Sequence, residues 1–198
     1  MKLRDTIKRI IKEETKGIDT FIDKISSKYN ISDDLRNYIK KFIEESNCKN
    51  IEFVKFKLSA LGIALHDGVL INEQILSSRL EYLLFVVFHE TAHQYQFKKY
   101  GEDVMYSCYL NEISDEEAAK FMKKTEEVAD EFAGKKIRQL QKQGLIKTDF
   151  TPPRMYKSVP ISQIKMMISN YRERLRKENI TSHDKISEFF YNMVKSEL

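Results

Sequence analysis

The stretch "FVVFHETAHQYQF", residues 85–97, limits what this chain can fold into more than any other feature. Leu83, Leu84, Phe85, Val86, Val87 and Phe88 form an unbroken apolar run. The chain then sets His89 and His93 four residues apart, with Glu90 beside the first. A helix puts residues i and i+4 on one face. Tyr82, Phe85 and Val86 share that face, so the histidines are expected inside the protein. Both imidazoles can then reach one ion at about 2.0–2.1 Å, the Zn–N distance. Glu90 is rotated by about 100° from His89, too far to be an equal ligand but suited to reaching a water at that ion. H-E-x-x-H is thus two ligands and a general base on one and a half turns. A buried glutamate beside buried histidines is costly unless a cation or strong partner compensates. That cost favours a metal site over a core helix with stray polar residues.

Zinc catalysis needs three protein ligands and an open position for water. Three glutamates compete for the third place. Glu112, in "YLNEIS", follows His93 by nineteen residues, a spacing some zinc aminopeptidases use, but it sits in a loop just before a helix cap. Glu126 and Glu127 lie mid-helix in "KKTEEVADEFA". The apolar face of that helix holds Ala118, Met122, Thr125, Ala129, Phe132 and Leu140. Glu126 lies about 60° from its centre and Glu127 about 160°, so Glu126 faces the core edge and Glu127 faces solvent. Asp130, four residues after Glu126, points nearly the same way and is placed to accept the free N–H of a ligand histidine. The reading is one zinc ion per chain on His89, His93 and Glu126, with Glu112 as the alternative third ligand.

The remaining chain bounds the fold. Its 198 residues suit a single domain with a real core. Six glycines and three prolines are few, which points to a mostly helical α+β chain. The first fifty residues read as helices, with Leu3, Ile7, Ile10 and Ile11 on one face and Ser32 capping "SDDLRNYIKKFIEES". "IEFVKF" (51–56) reads as a strand and "GIALHDGVLIN" (62–72) as a hairpin turning at Asp67-Gly68. A helix is expected over 74–99 and another over 114–143, the latter opened by a Ser114/Glu117 capping box. The three prolines fall in the connector "TPPRMYKSVP", and helices are expected near 160–177 and 182–197. The regions are therefore a helical 1–50, a core over 51–143, and a connector with C-terminal helices over 144–198. No run approaches membrane-spanning length, and the N-terminal segment lacks the apolar core of a signal peptide. With Cys48 and Cys108 read as reduced thiols, the expected setting is cytoplasmic. Net charge is +4 over residues 1–60, −8 over 61–134 and +8 over 135–198. The basic end reads as solvated helix faces, with no nucleic-acid motif beside it.

The hairpin with its "DGVLIN" strand, the "FVVFHETAHQ" helix and the "EEVADEFA" segment together resemble gluzincins, zinc peptidases with two His ligands and one Glu. More specifically they resemble the ImmA/IrrE-like metallopeptidases, over residues 62–134. The chain departs from that family's pattern at Ala92, where a Gly is usual before the second His, and in the basic, Pro-free "AGKKIRQLQKQ". The resemblance implies a zincin-like core: a small antiparallel sheet packed on the H-E-x-x-H helix and a Glu-bearing helix, with helical flanks. It implies metal-assisted peptide hydrolysis with Glu90 as general base, and protein or peptide substrates, down to one specific regulator. It also implies that Val69, Leu70, Ile71 and Asn72 form the edge strand that pairs with substrate. Tyr106, Tyr109, Tyr156 and His183 are candidates to stabilise an oxyanion, and His66 is expected exposed and idle. The alternative reading is a non-proteolytic zinc-containing regulatory or binding protein on the same scaffold.

Overall fold

The computed structural model describes residues 17–56 and 60–195; the apolar face at Leu3, Ile7, Ile10 and Ile11 lies outside them. Residues 17–29 form a helix, α1, whose Ile18, Phe21, Ile22 and Ile25 are buried. Ser32 caps α2 (Asp33–Glu45) by accepting the Leu35 N–H, and Leu35, Ile39, Phe42 and Ile43 face the same core. Two ion pairs, Lys40–Asp19 at 2.6 Å and Arg36–Asp23, lock α2 to α1.

Three strands follow: β1 (Asn50–Val54), β2 (Gly62–Leu65) and β3 (Gly68–Asn72). β2 and β3 form the expected hairpin, but β1 pairs with β3 in parallel, so the sheet is mixed and its order is β1-β3-β2. This corrects the placement of Val69, Leu70, Ile71 and Asn72 at an edge. β3 is the central strand, buried along its whole length, and its backbone is engaged on both sides. A continuous apolar run such as Val69–Ile71 is what a strand covered on both faces carries. The exposed ladder beside the cavity described below belongs to β2. The Leu61 carbonyl accepts the Asn72 N–H at 2.9 Å, so in this register Gly62 and Ala64 occupy non-hydrogen-bonded positions. In an antiparallel ladder the N–H and C=O groups at such positions point away from the partner strand.

The helix expected over 74–99 is split. Asn72 accepts the Gln74 N–H and opens a 3₁₀ turn (Glu73–Ser77). Ser78 and Arg79 are extended, and α3 (Leu80–Tyr100) starts after them. From Leu83 to Gln94 every residue of α3 is buried, so it has no solvent face over that span. Gly101, at φ +85°, ends it and leads into the short α4 (Glu102–Tyr106). The Ser114/Glu117 capping box opens α5 (Asp115–Lys142) as expected. α6 (Ile161–Lys177) and α7 (His183–Lys195) complete the chain, and no helix among the described residues is long and apolar enough to cross a membrane.

One core joins α1, α2, the first half of α3, one sheet face and the end of α5. A second lies on the other sheet face, with α4, α7 and the end of α6. Gln94 ties α3 to the hairpin turn, donating from Nε2 to the carbonyls of Leu65 (2.6 Å) and Gly68 (3.1 Å). Arg172 of α6 is buried. It donates to the carbonyls of Cys108 and Ile113, both at 3.0 Å, and contacts Asp115. Arg172→Leu should leave those carbonyls unpaired and lower stability by about 2 kcal/mol. A lower denaturant midpoint at unchanged slope would register this; a midpoint equal to wild type would show that the arginine does not hold α6 in place.

Candidate metal centre

α3 and α5 lie side by side, and their facing surfaces bring His89, His93 and Glu126 together. The ligand-type atoms of these three residues all lie within 4.8 Å of one another, and the group could hold a metal ion. His89 Nε2 is 3.0 Å from Glu126 Oε2, and His93 Nε2 is 3.6 Å from the same oxygen. Helical phase accounts for the choice of glutamate. Glu126 turns toward the core, while Glu127 pairs with Lys123 at 3.9 Å on the outer side. Glu112 is elsewhere, exposed and 3.1 Å from His183 Nε2, so it does not join the group.

Both histidines are oriented from behind. Gln96 donates from Nε2 to the Thr125 carbonyl (2.9 Å), which turns its Oε1 toward His93 Nδ1 (2.8 Å). An amide oxygen only accepts, so Nδ1 carries the proton and Nε2 is left to face the site. His89 Nδ1 lies 3.0 Å from Asp130 Oδ1. This approach is out of line for a full hydrogen bond, and both atoms are sealed from solvent with no other partner. The other Asp130 oxygen accepts the Tyr156 backbone N–H at 3.0 Å. Asp130 thus stands where its helical phase predicted. Gln96, one turn beyond His93, orients a candidate ligand and is not among the residues expected from the sequence.

Burial opposes charge on His89, but the Asp130 and Glu126 carboxylates outweigh it and push its pKa up to about 10. His93 is shifted up in the same sense, with burial again opposed by Glu126. Burial also works against the Glu126 anion, yet the His93 and His89 rings hold it well below the usual carboxylate range. Without an ion, the site is therefore a buried ion pair. The His89 contribution to stability is complete below its unfolded value near 6.5 and is lost as pH rises toward 10. That of Glu126 is present above about 4.5 and is lost as pH falls below it. Two imidazoles and a carboxylate, with backing partners already in place, are a donor set that suits zinc.

Glu90 is buried against the start of β2. A Cβ on Gly62 would fall 2.5 Å from Glu90 Cγ and 2.8 Å from its Oε1, so only glycine leaves room for this side chain. A glycine inside a short strand is the usual sign of such a close approach. Burial pushes the Glu90 carboxyl up, against the pull of both histidines and the Ala64 backbone N–H. The group opens on a cavity of about 560 Å³ that is also lined by Ala60, Leu61, Gly62, Ile63 and Ala64. The edge of β2 therefore borders the site.

Of the four oxyanion candidates, Tyr156 stands closest to the chemistry, with its ring stacked on His89 at 6.2 Å and 18° and bordering the cavity. The Tyr106 hydroxyl is committed to Ser187 (2.6 Å) and to the His66 N–H (3.1 Å). His183 lies between Glu112 and Asp103, and Tyr109 packs among other rings. His66 is half exposed in its turn, 3.5 Å from Glu102.

No family model, no curated protein and no solved structure matches the chain.

Two measurements test the centre. Zinc titrated into metal-free protein at pH 7 should displace the His89 proton, so calorimetry in buffers of different ionisation heat should read at least one proton released per ion; buffer-independent heats would exclude the protonated pair. Glu126→Ala should weaken zinc binding by orders of magnitude and Asp130→Ala by about 10–100-fold, while Glu112→Ala and Glu127→Ala match wild type. Loss of binding in Glu112→Ala alone would move the third ligand out of α5.

Proposed function

We propose that this chain is a zinc-dependent metallopeptidase with a zincin-like core, hydrolysing peptide bonds of a protein substrate with Glu90 as general base. The observation that carries the reading is the position of Glu90: a buried carboxyl outside the ligand group that lines the same cavity, given room by the missing side chain of Gly62. A purely structural metal site has no need of such a group. The resemblance of residues 62–134 to the ImmA/IrrE-like metallopeptidases points the same way. Two free, buried thiols suit the reducing, cytoplasmic setting that completes the proposal.

Zinc, when bound, acts as a Lewis acid that acidifies water and polarises a carbonyl. This chain's own residues supply the rest. An extended peptide adds to the β2 edge through the outward backbone groups of Gly62 and the Ala64 carbonyl, which holds the scissile bond beside Glu90. Glu90, its proton affinity raised by burial, takes the proton of the attacking water and returns it to the leaving amine. Burial keeps the Tyr156 phenol protonated, so its hydroxyl serves as a donor to the developing oxyanion.

Glu90→Gln should retain the fold and one zinc per chain but lose cleavage of a denatured protein. Gly62→Ala should behave similarly, because the flexible Glu90 side chain turns aside while the strand stays intact; turnover should fall by about 10²–10⁴-fold, the usual contribution of a positioned base. Equal cleavage by Glu90→Gln and wild type would remove the base from the mechanism. Zinc-loaded wild type without any cleavage would favour the binding-protein reading.

A further inference from the structure

The cavity does not end at the metal centre. The same cavity has an aromatic stretch of wall, a chamber formed by Tyr109, Phe121 of α5, Met167 and Tyr171 of α6, and Phe190 of α7. Three of these rings meet edge to face: Tyr109–Phe190 at 5.1 Å, Tyr171–Phe190 at 5.4 Å and Tyr109–Tyr171 at 5.8 Å. The wall is thus already built as an aromatic surface. The acidic and imidazole groups that line the cavity, His89, Glu90, His93 and Glu126, all belong to the metal end. A charged side chain entering the chamber would lose its water and find no counter-charge free to replace it. A small side chain would leave the rings unfilled and forfeit their contacts.

The two phenols add a further requirement. The Tyr106 hydroxyl, in the same ring cluster, has two protein partners. Among the described residues the hydroxyls of Tyr109 and Tyr171 have none, yet the sealed unpartnered side-chain atoms are confined to His89 and Asp130. The two hydroxyls are therefore not sealed, and both residues line the cavity, where a polar atom of an occupant can satisfy them.

We propose that this chamber selects an aromatic substrate residue with a polar tip, tyrosine ahead of phenylalanine, next to the bond hydrolysed at the metal centre. The inference rests on the peptidase reading for its reaction, but its test reads binding alone. The probes are the hydroxamates of tyrosine, phenylalanine, glycine and lysine, titrated into zinc-loaded protein. The aromatic pair should bind about 30-fold more tightly than the glycine or lysine compounds, as burial of a ring gives. Tyrosine hydroxamate should exceed phenylalanine hydroxamate by about fivefold, as one added hydrogen bond gives. In Tyr109→Phe/Tyr171→Phe the tyrosine advantage should vanish while the aromatic preference persists; in Met167→Trp, which fills the chamber, the aromatic preference should be lost. Equal affinities for all four probes in zinc-loaded wild type would overturn the chamber and leave the metal centre standing. Protein that takes up no zinc would overturn both. Should Met167→Trp fail to fold, the wild-type series and the tyrosine pair decide the matter.

Discussion

α3 is enclosed on every side from Leu83 to Gln94 and still carries two histidines, a glutamate, a threonine and a glutamine within that span. A buried polar atom costs free energy unless it is paired, so the surrounding elements are arranged around this one helix. α5 supplies Glu126, Asp130 and the Thr125 carbonyl; the hairpin supplies the Leu65 and Gly68 carbonyls for Gln94. Thr91 closes its own account by donating to the Val87 carbonyl. His89 Nδ1 and Asp130 Oδ1, the pair without a full hydrogen bond, lie directly behind the candidate ligand atoms.

The charge distribution follows from the same arrangement. Part of the acidic middle of the chain lies at the site, with Glu90, Glu126 and Asp130, and part in the first turn of α5. There Asp115 meets Arg172 and Glu116 meets Lys165, both of α6. Part of the basic C-terminal segment is therefore paired within the chain, fastening α6 to the start of α5. Arg36, Lys40 and Lys24 do similar work at the other end, with Asp23, Asp19 and Glu73.

Much of the centre was legible in the sequence because its parts are spaced along single helices. His89 and His93 follow from i, i+4, Glu126 over Glu127 from helical phase, and Asp130 from one further turn. The capping box and the helices after residue 114 were legible for the same reason: the signals are local. The sheet order was not, because a parallel partner is chosen by tertiary packing across the intervening hairpin, and four- or five-residue strands carry little register information. The continuous run Val69–Ile71 was the available sign that β3 is central. Gly62 and Gln96 also left faint traces, a glycine opening a strand and a glutamine one turn past His93, whose meaning appears only when α3 meets its neighbours. The aromatic chamber has no local signature, since α5, α6, α7 and the segment after α4 each give it one or two side chains.

The 37-residue separation between His89 and Glu126 has a consequence for biosynthesis. When α3 leaves the ribosome, α5 is still enclosed in the exit tunnel, and both imidazoles emerge without the carboxylates that belong with them. The hairpin and the helices before it are already available, so one flank of α3 can be covered at once. The other must wait for several turns of α5. Over that interval the nascent chain presents a half-covered apolar helix, the kind of surface that holdase chaperones recognise. The tie from Tyr156 to Asp130 comes later still, so the final arrangement around His89 is a late event in the life of the chain.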